Sequence, residues 1–219
     1  PSYQRPFSWD DDQFSDLIDD LITASQDKDY FLGTIVLHEM EDKSHFDIVD
    51  GQQRLTSLMI LLSCLRDRID SKDHQEIIQN KILQKKNVVD DIPEKIRLEV
   101  KDTKVFADYV VKLGGTLEVK KATKLPEPQN RYLRSIEVFA AAIDKLSQAE
   151  RQKLIEFISQ KCVIILLATQ TFEDAFRLFT IVNDRGKQLR RIDILKSMNI
   201  APDVIPKDAV REKLARDWE

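Results

Sequence analysis

Apolar residues recur along the chain at two spacings, and these mark out its elements. Phe14, Leu17, Ile18, Leu21 and Ile22 lie on one helical face behind Ser8-Trp9-Asp10-Asp11, which predicts a capped helix running to about Ser25. Two β-prone runs, Phe31 to Leu37 and His45 to Val49, flank the turn-prone Glu41-Asp42-Lys43-Ser44 and read as a hairpin. Leu55, Leu58, Met59, Leu62 and Leu65 then restore the helical period through about Ile69, with Arg66, Asp67 and Arg68 on polar positions. After a break at Ser71-Lys72-Asp73-His74, Ile77, Ile78, Ile82 and Leu83 form the stripe of a further helix with a solvated basic flank of Lys81, Lys85 and Lys86. His74, alone at a helix start, reads as a cap or a solvated side chain.

Asn87 to Pro93 interrupts the pattern, and Ile96 to Val100 reads as a short edge strand. Lys101 to Leu113 looks helical until Gly114-Gly115 stops it, and Thr116 to Gln129, with three lysines and two prolines, reads as an exposed, mobile loop. Two helices follow, with Leu133, Ile136, Phe139, Ala140, Ile143 and Leu146 inward on the first and Leu154, Ile155 and Ile158 on the second. Cys162 to Ala168 is rich in β-branched residues and reads as a fully buried strand joining the sheet of the first hairpin. Thr171-Phe172-Glu173-Asp174 caps a helix that ends at Asn183-Asp184-Arg185-Gly186, where Gly186 suits a helix C-cap. A short helix around Ile192 to Met198, a Pro-punctuated linker over 201–207 and a last amphipathic helix over 208–218 complete the reading. The expected fold is an α/β (α+β), helix-rich domain with a small mixed sheet, divided into a core over 1–113, a loop over 114–129 and a helical part with one buried strand over 130–219.

Composition narrows the class. The chain has 219 residues, 42% hydrophobic and 33% charged, enough for one sizeable core or two modest ones. A formal net charge of −4 argues against a generic nucleic-acid coat and leaves room for a local basic face. Cys64 and Cys162 sit in apolar contexts as packed thiols, as a reducing cytoplasm allows. No apolar run approaches the roughly 20 residues of a membrane helix.

Candidate chemistry concentrates at Asp50-Gly51-Gln52-Gln53-Arg54, where the second strand hands over to a helix. Unpaired N–H groups and a positive dipole end lie there, and Gly51 carries no Cβ to hold an anion away. Arg54 offers a planar donor fork for phosphate, Gln52 and Gln53 add neutral donors and acceptors, and Asp50 suits Mg²⁺ binding or orientation of an attacking water. The same spacing is also an acceptable capping box, with Asp50 as N-cap and Gln53 three residues on, and it matches neither a Walker A loop nor the glycine-rich dinucleotide fingerprint.

Four segments, Tyr3 to Trp9, Tyr30 to Ile35, Ile48 to Thr56 and Phe176 to Leu189, together resemble the N-terminal domain of GmrSD-type modification-dependent restriction proteins. The resemblance implies a ParB/sulfiredoxin-like core whose Asp-Gly-Gln-Gln-Arg motif binds and hydrolyses a nucleoside triphosphate with Mg²⁺, coupled to restriction of modified foreign DNA. It implies that the arm bearing Gln4 and Arg5 packs beside the motif, and that Asn183, Arg185 and Gly186 face it. A C-terminal or separate HNH-type nuclease effector is implied as partner. The sequence holds only His38, His45 and His74, so that nuclease is expected outside these residues, and a start at Pro1 suggests a piece of a longer protein. On this reading Gly51, Arg54, Arg5 and Arg185 hold phosphates, Asp50 binds Mg²⁺ or orients water, and Gln52 and Gln53 position the nucleophile or base. Tyr3, Phe7 and Trp9 are expected to pin the arm by apolar burial. The alternative is a non-enzymatic ParB-like DNA-binding module, and a motif that only stabilises the fold is a third; a homo-oligomer is compatible with each.

Overall fold

The computed structural model describes residues 6–25, 29–41, 45–119, 125–183 and Val210. Seven α-helices and two small sheets among them make a helix-rich α+β fold with a small mixed sheet, as the periodicity predicts. The predicted elements over 192–218 fall almost wholly outside the described residues. The chain divides into two compact units, one holding Gly33–Gln52 and the described residues from Ile164 on, the other Pro6–Leu32 and Gln53–Val163. These units are built of interleaved segments of the chain.

The first unit holds β2 (Phe46–Asp50) and the larger part of β1 (Tyr30–Glu39) and β5 (Cys162–Thr169); β1 and β2 form the expected antiparallel hairpin, and the strand order is β2-β1-β5. Helix α7 (Phe172–Asn183) is capped by Thr171, whose hydroxyl accepts from the Asp174 N–H at 3.2 Å, and it buries Ala175 and Phe179 against Val36 with Val49 alongside. β5 corrects an expectation: it is a strand, yet Ile165 and Leu166 are exposed. An unbroken apolar run does not distinguish a strand covered on two faces from one at a sheet edge, and β5 has only β1 beside it in the strand order.

The second unit is helical. In α1 (Asp11–Ala24) the N-cap is Asp10, which forms a capping box with Gln13, one box later than Ser8 suggests. Phe14 is fully buried at ring distances of 5.6 Å from both Phe7 and Phe139, the latter on α5 (Asn130–Ile143). Helix α2 (Gln52–Arg66) stops earlier than predicted. Helix α3 (Lys72–Ile82) follows, capped by Ser71, whose hydroxyl also meets His74 at 2.8 Å, as the capping reading of that histidine expects.

Asn87 to Pro93 proves to be the turn region of a small hairpin, with β3 (Leu83–Gln84) paired to β4 (Lys95–Ile96), so the edge strand is shorter and earlier than expected. Helix α4 (Thr103–Phe106) runs into a π-helical turn over Ala107–Val111, and Gly114 follows in the left-handed region at φ 78°. Helix α6 (Gln148–Gln160) opens on a Ser147–Glu150 capping box.

Two further expectations change. Arg66 and Asp67 are not on a solvated face: both side chains are 0% exposed and paired at 2.7 Å. Arg66 also donates to Gln79 Oε1 at 2.6 Å and to the carbonyls of Val111 at 3.1 Å and Lys112 at 2.8 Å, where the π-helical turn ends. Asp67 accepts from the backbone N–H of Gly114 and Thr116 and from the Thr116 hydroxyl. The start of the expected mobile loop is therefore packed, with Thr116 and Val119 buried.

Candidate functional site at the β2–α2 corner

A one-residue irregularity sets the corner. Leu37 pairs with Ile48 but Val36 pairs with Asp50, so Val49 is an extra residue in β2 and the strand bulges just before the motif. A bulge re-aims the side chains that follow it. Val49 packs on the Val36–Ala175–Phe179 cluster, while Asp50 lies opposite Val36 as the last residue of the strand. Gly51 then turns the chain at φ +91°, and a Cβ there would stand 2.8 Å from Ile35 Cγ1. Handedness and space both require glycine. Helix α2 begins at the next residue, Gln52, so its first-turn N–H groups belong to the motif itself.

Gln53 has a specific use within the second unit. Its Oε1 accepts from the Ser8 N–H at 2.7 Å and its Nε2 donates to the Pro6 carbonyl at 3.1 Å. Both ends of the amide thus engage the arm, and since α2 begins at Gln52 the residue before the helix is Gly51 rather than Asp50. Arg131 holds the same arm, its Nη1 donating to the carbonyls of Ser8 at 2.8 Å and Trp9 at 3.3 Å. Phe7, 4% exposed, stacks on Tyr132 at 4.8 Å, and Trp9 meets Phe14, so these aromatics pin the arm as expected. Tyr3 lies outside the described residues.

Arg54 is half-buried and its charge reaches Tyr30. Burial raises the Tyr30 phenol above its ordinary range, the hydrogen bond to Asp20 at 3.0 Å raises it further, and Arg54 opposes both. Asp50, Gly51 and Gln52 belong to the first unit and Gln53 and Arg54 to the second, consecutive along the chain. Asn183 is the last residue of α7, the helix packed on Val49 in the same unit as Asp50 and Gly51. Gln4, Arg5, Arg185 and Gly186 lie outside the described residues. Among the described residues no group of three or more His, Cys, Asp or Glu could hold a metal by itself.

Three neighbours of the corner were not assigned a role from sequence. Tyr30 stood in view within the Tyr30 to Ile35 segment, Asp20 had no distinguishing signal, and Arg131 reaches the arm across 123 residues.

The family described as GmrSD restriction endonuclease, N-terminal domain, matches residues 1–200. The chain belongs to this family. The GmrSD match takes in the arm, the corner and the segment that begins with Phe176, so the residues that Gln53 joins all lie inside it. Membership makes the chain a restriction-system domain. No curated protein matches it. No helix among the described residues is long and apolar enough to cross a membrane.

Proposed function

We propose that the β2–α2 corner binds and hydrolyses a nucleoside triphosphate with Mg²⁺, as the regulatory half of a system that restricts modified DNA through a nuclease effector. The observation that carries this reading is the Gln53 clamp. It joins the arm to the motif through two hydrogen bonds spanning 45 and 47 residues, more than a helix cap requires. Since Pro6 follows Arg5 in the chain, the clamp anchors the residue next to the arm side chain assigned to the phosphates.

This reading divides the labour among the residues of the corner. First-turn N–H groups of α2 and the Arg54 fork take phosphate oxygens, and Gly51 turns the chain into the helix at φ +91°. Mg²⁺, when bound, neutralises charge that develops on the transferred phosphoryl group. Asp50 holds the ion or orients water, Gln52 aligns the nucleophile, and Gln53 acts by fixing the arm. Arg5, Arg185, Asn183 and Gly186 complete the phosphate environment.

Calorimetric titration with GTP, UTP, ATP and CTP in Mg²⁺, followed by phosphate-release assays, tests this. One nucleotide binds, Arg54→Ala weakens it by about 2 kcal/mol, and Asp50→Ala keeps binding but loses release. If no nucleotide binds and both variants merely melt at lower temperature, the corner is a structural cap and DNA binding alone becomes the better reading.

A further inference from the structure

The second unit carries a basic groove far in sequence from the corner, where α3 meets the β3–β4 hairpin. It is open, about 560 Å³ in volume, and lined by Lys85, Lys86 and Arg97 with the amides of Asn80, Gln84 and Asn87; no carboxylate lines it. In a chain of net charge −4, three cations without a lining acid are a local reversal of sign. Lys85 is paired with Glu76 at 2.6 Å, whereas Lys86 makes no ion pair among the described residues. Arg97 spends its Nε on the Asn80 carbonyl at 2.7 Å, which sets the guanidinium in place and leaves its Nη edge for a ligand.

The hairpin beside the groove is held in one shape. Asn87 and Ile92 exchange two backbone hydrogen bonds of 2.9 Å, the Asn87 Oδ1 accepts from the N–H of Val89 and Asp90, and Gln84 donates to the Pro93 carbonyl. This scaffold displays Val88 at 79% and Val89 at 93% exposure, two β-branched apolar side chains with no folding role at a turn. Of the turn's two acids, Asp90 is drawn aside by the Asn87 amide at 2.6 Å and Asp91 does not line the groove.

We propose that this hairpin is a DNA-contacting wing: Lys86 and Arg97 take backbone phosphates in the groove, and Val88 and Val89 lie against the sugars and groove wall. An open groove suits a polymer better than an enclosed small molecule, and the pairing of free cations with an apolar tip matches a phosphodiester chain flanked by apolar sugar surface. The inference rests on DNA as the partner of this restriction-family domain and adds where the chain touches it. Because phosphate contacts carry no sequence information, the wing binds modified and unmodified duplex alike.

Fluorescence anisotropy of the 219-residue chain on a duplex of about 20 base pairs, titrated between roughly 50 and 200 mM salt, tests it. Each phosphate contact contributes about 0.9 to the slope of log affinity against log salt, so Lys86→Ala makes the slope shallower by about 0.9, and Lys86→Ala with Arg97→Ala by about 1.8. Val88→Ser with Val89→Ser weakens binding at unchanged slope, and Lys145→Ala, elsewhere on the surface, changes neither. Lys86 is exposed and makes no ion pair among the described residues, so its variant reads out binding even where the Arg97 variant unfolds. DNA binding with an unaltered slope in Lys86→Ala overturns the wing and leaves DNA as partner; a chain that binds no DNA overturns both.

Discussion

The C-terminal end of α2 carries Arg66 and Asp67 with neither side chain exposed, and among the described residues their side-chain hydrogen bonds beyond their own pair go to Gln79, to Thr116 and to the backbone of Val111, Lys112 and Gly114. The N-terminal end carries Asp50, Gly51, Gln53 and Arg54, all only half-covered. Similar residue types serve opposite ends. Two buried charges survive because each closes on several partners, which converts a desolvation penalty into a fixed loop conformation. Partial exposure at the other end leaves donors where a ligand can reach them, and the glycine that shapes the corner is required by the backbone rather than by a buried charge.

Removing one charge at the buried end tests the contrast most severely. Asp67→Ala leaves Arg66 uncompensated and costs about 3–5 kcal/mol in urea unfolding, whereas Arg54→Ala stays within about 0.5 kcal/mol. Equal losses in the two variants would erase the distinction between the ends.

Alkaline titration probes the same buried end. Burial pushes the Cys64 thiol up to about 12 from an ordinary value of 9.0, so folding favours its protonated form. Its contribution is full below pH 9.0 and is lost as pH rises through about 12, at up to about 1.4 kcal/mol per pH unit. Cys64→Ala, compared at neutral and alkaline pH, flattens that part of the stability curve. Native Cys64 also resists alkylation at pH 8.

At the open end, Gly51→Ala meets both a positive φ and a Cβ placed 2.8 Å from Ile35, and costs about 2 kcal/mol in thermal unfolding. The smallest expected effect is that of Gln53→Ala, about 1 kcal/mol, with faster hydrogen exchange at the Ser8 amide as its signature. Unchanged exchange there would remove the clamp from the argument.

Much of the fold was legible in the sequence because its signals are local. Leu55, Leu58, Met59, Leu62 and Leu65 mark α2, the runs around Ile35 and Ile48 mark the hairpin, and the corner between them places the motif at a strand-to-helix handover. Arg66 shows where that reading stops: a polar residue next to Asp67 and Arg68 looks solvated until the Val111 and Lys112 carbonyls are brought to it across 45 and 46 residues. Gln53 looked like half of a capping box because its other partners, Pro6 and Ser8, come from a segment with no periodicity of its own.

The sequence by itself determined most of the helix and strand stretches, that Asp50 to Arg54 lies where a strand hands over to a helix, and the family, since each depends on residue order over short spans. Only the tertiary structure decided that Val49 bulges, that Gln53 grips the arm, that Arg66 and Asp67 are buried, and that Ile165 and Leu166 of β5 stay exposed. Each of those depends on which distant groups arrive to satisfy a donor, fill a space or cover a face, and that is settled by packing rather than by local pattern.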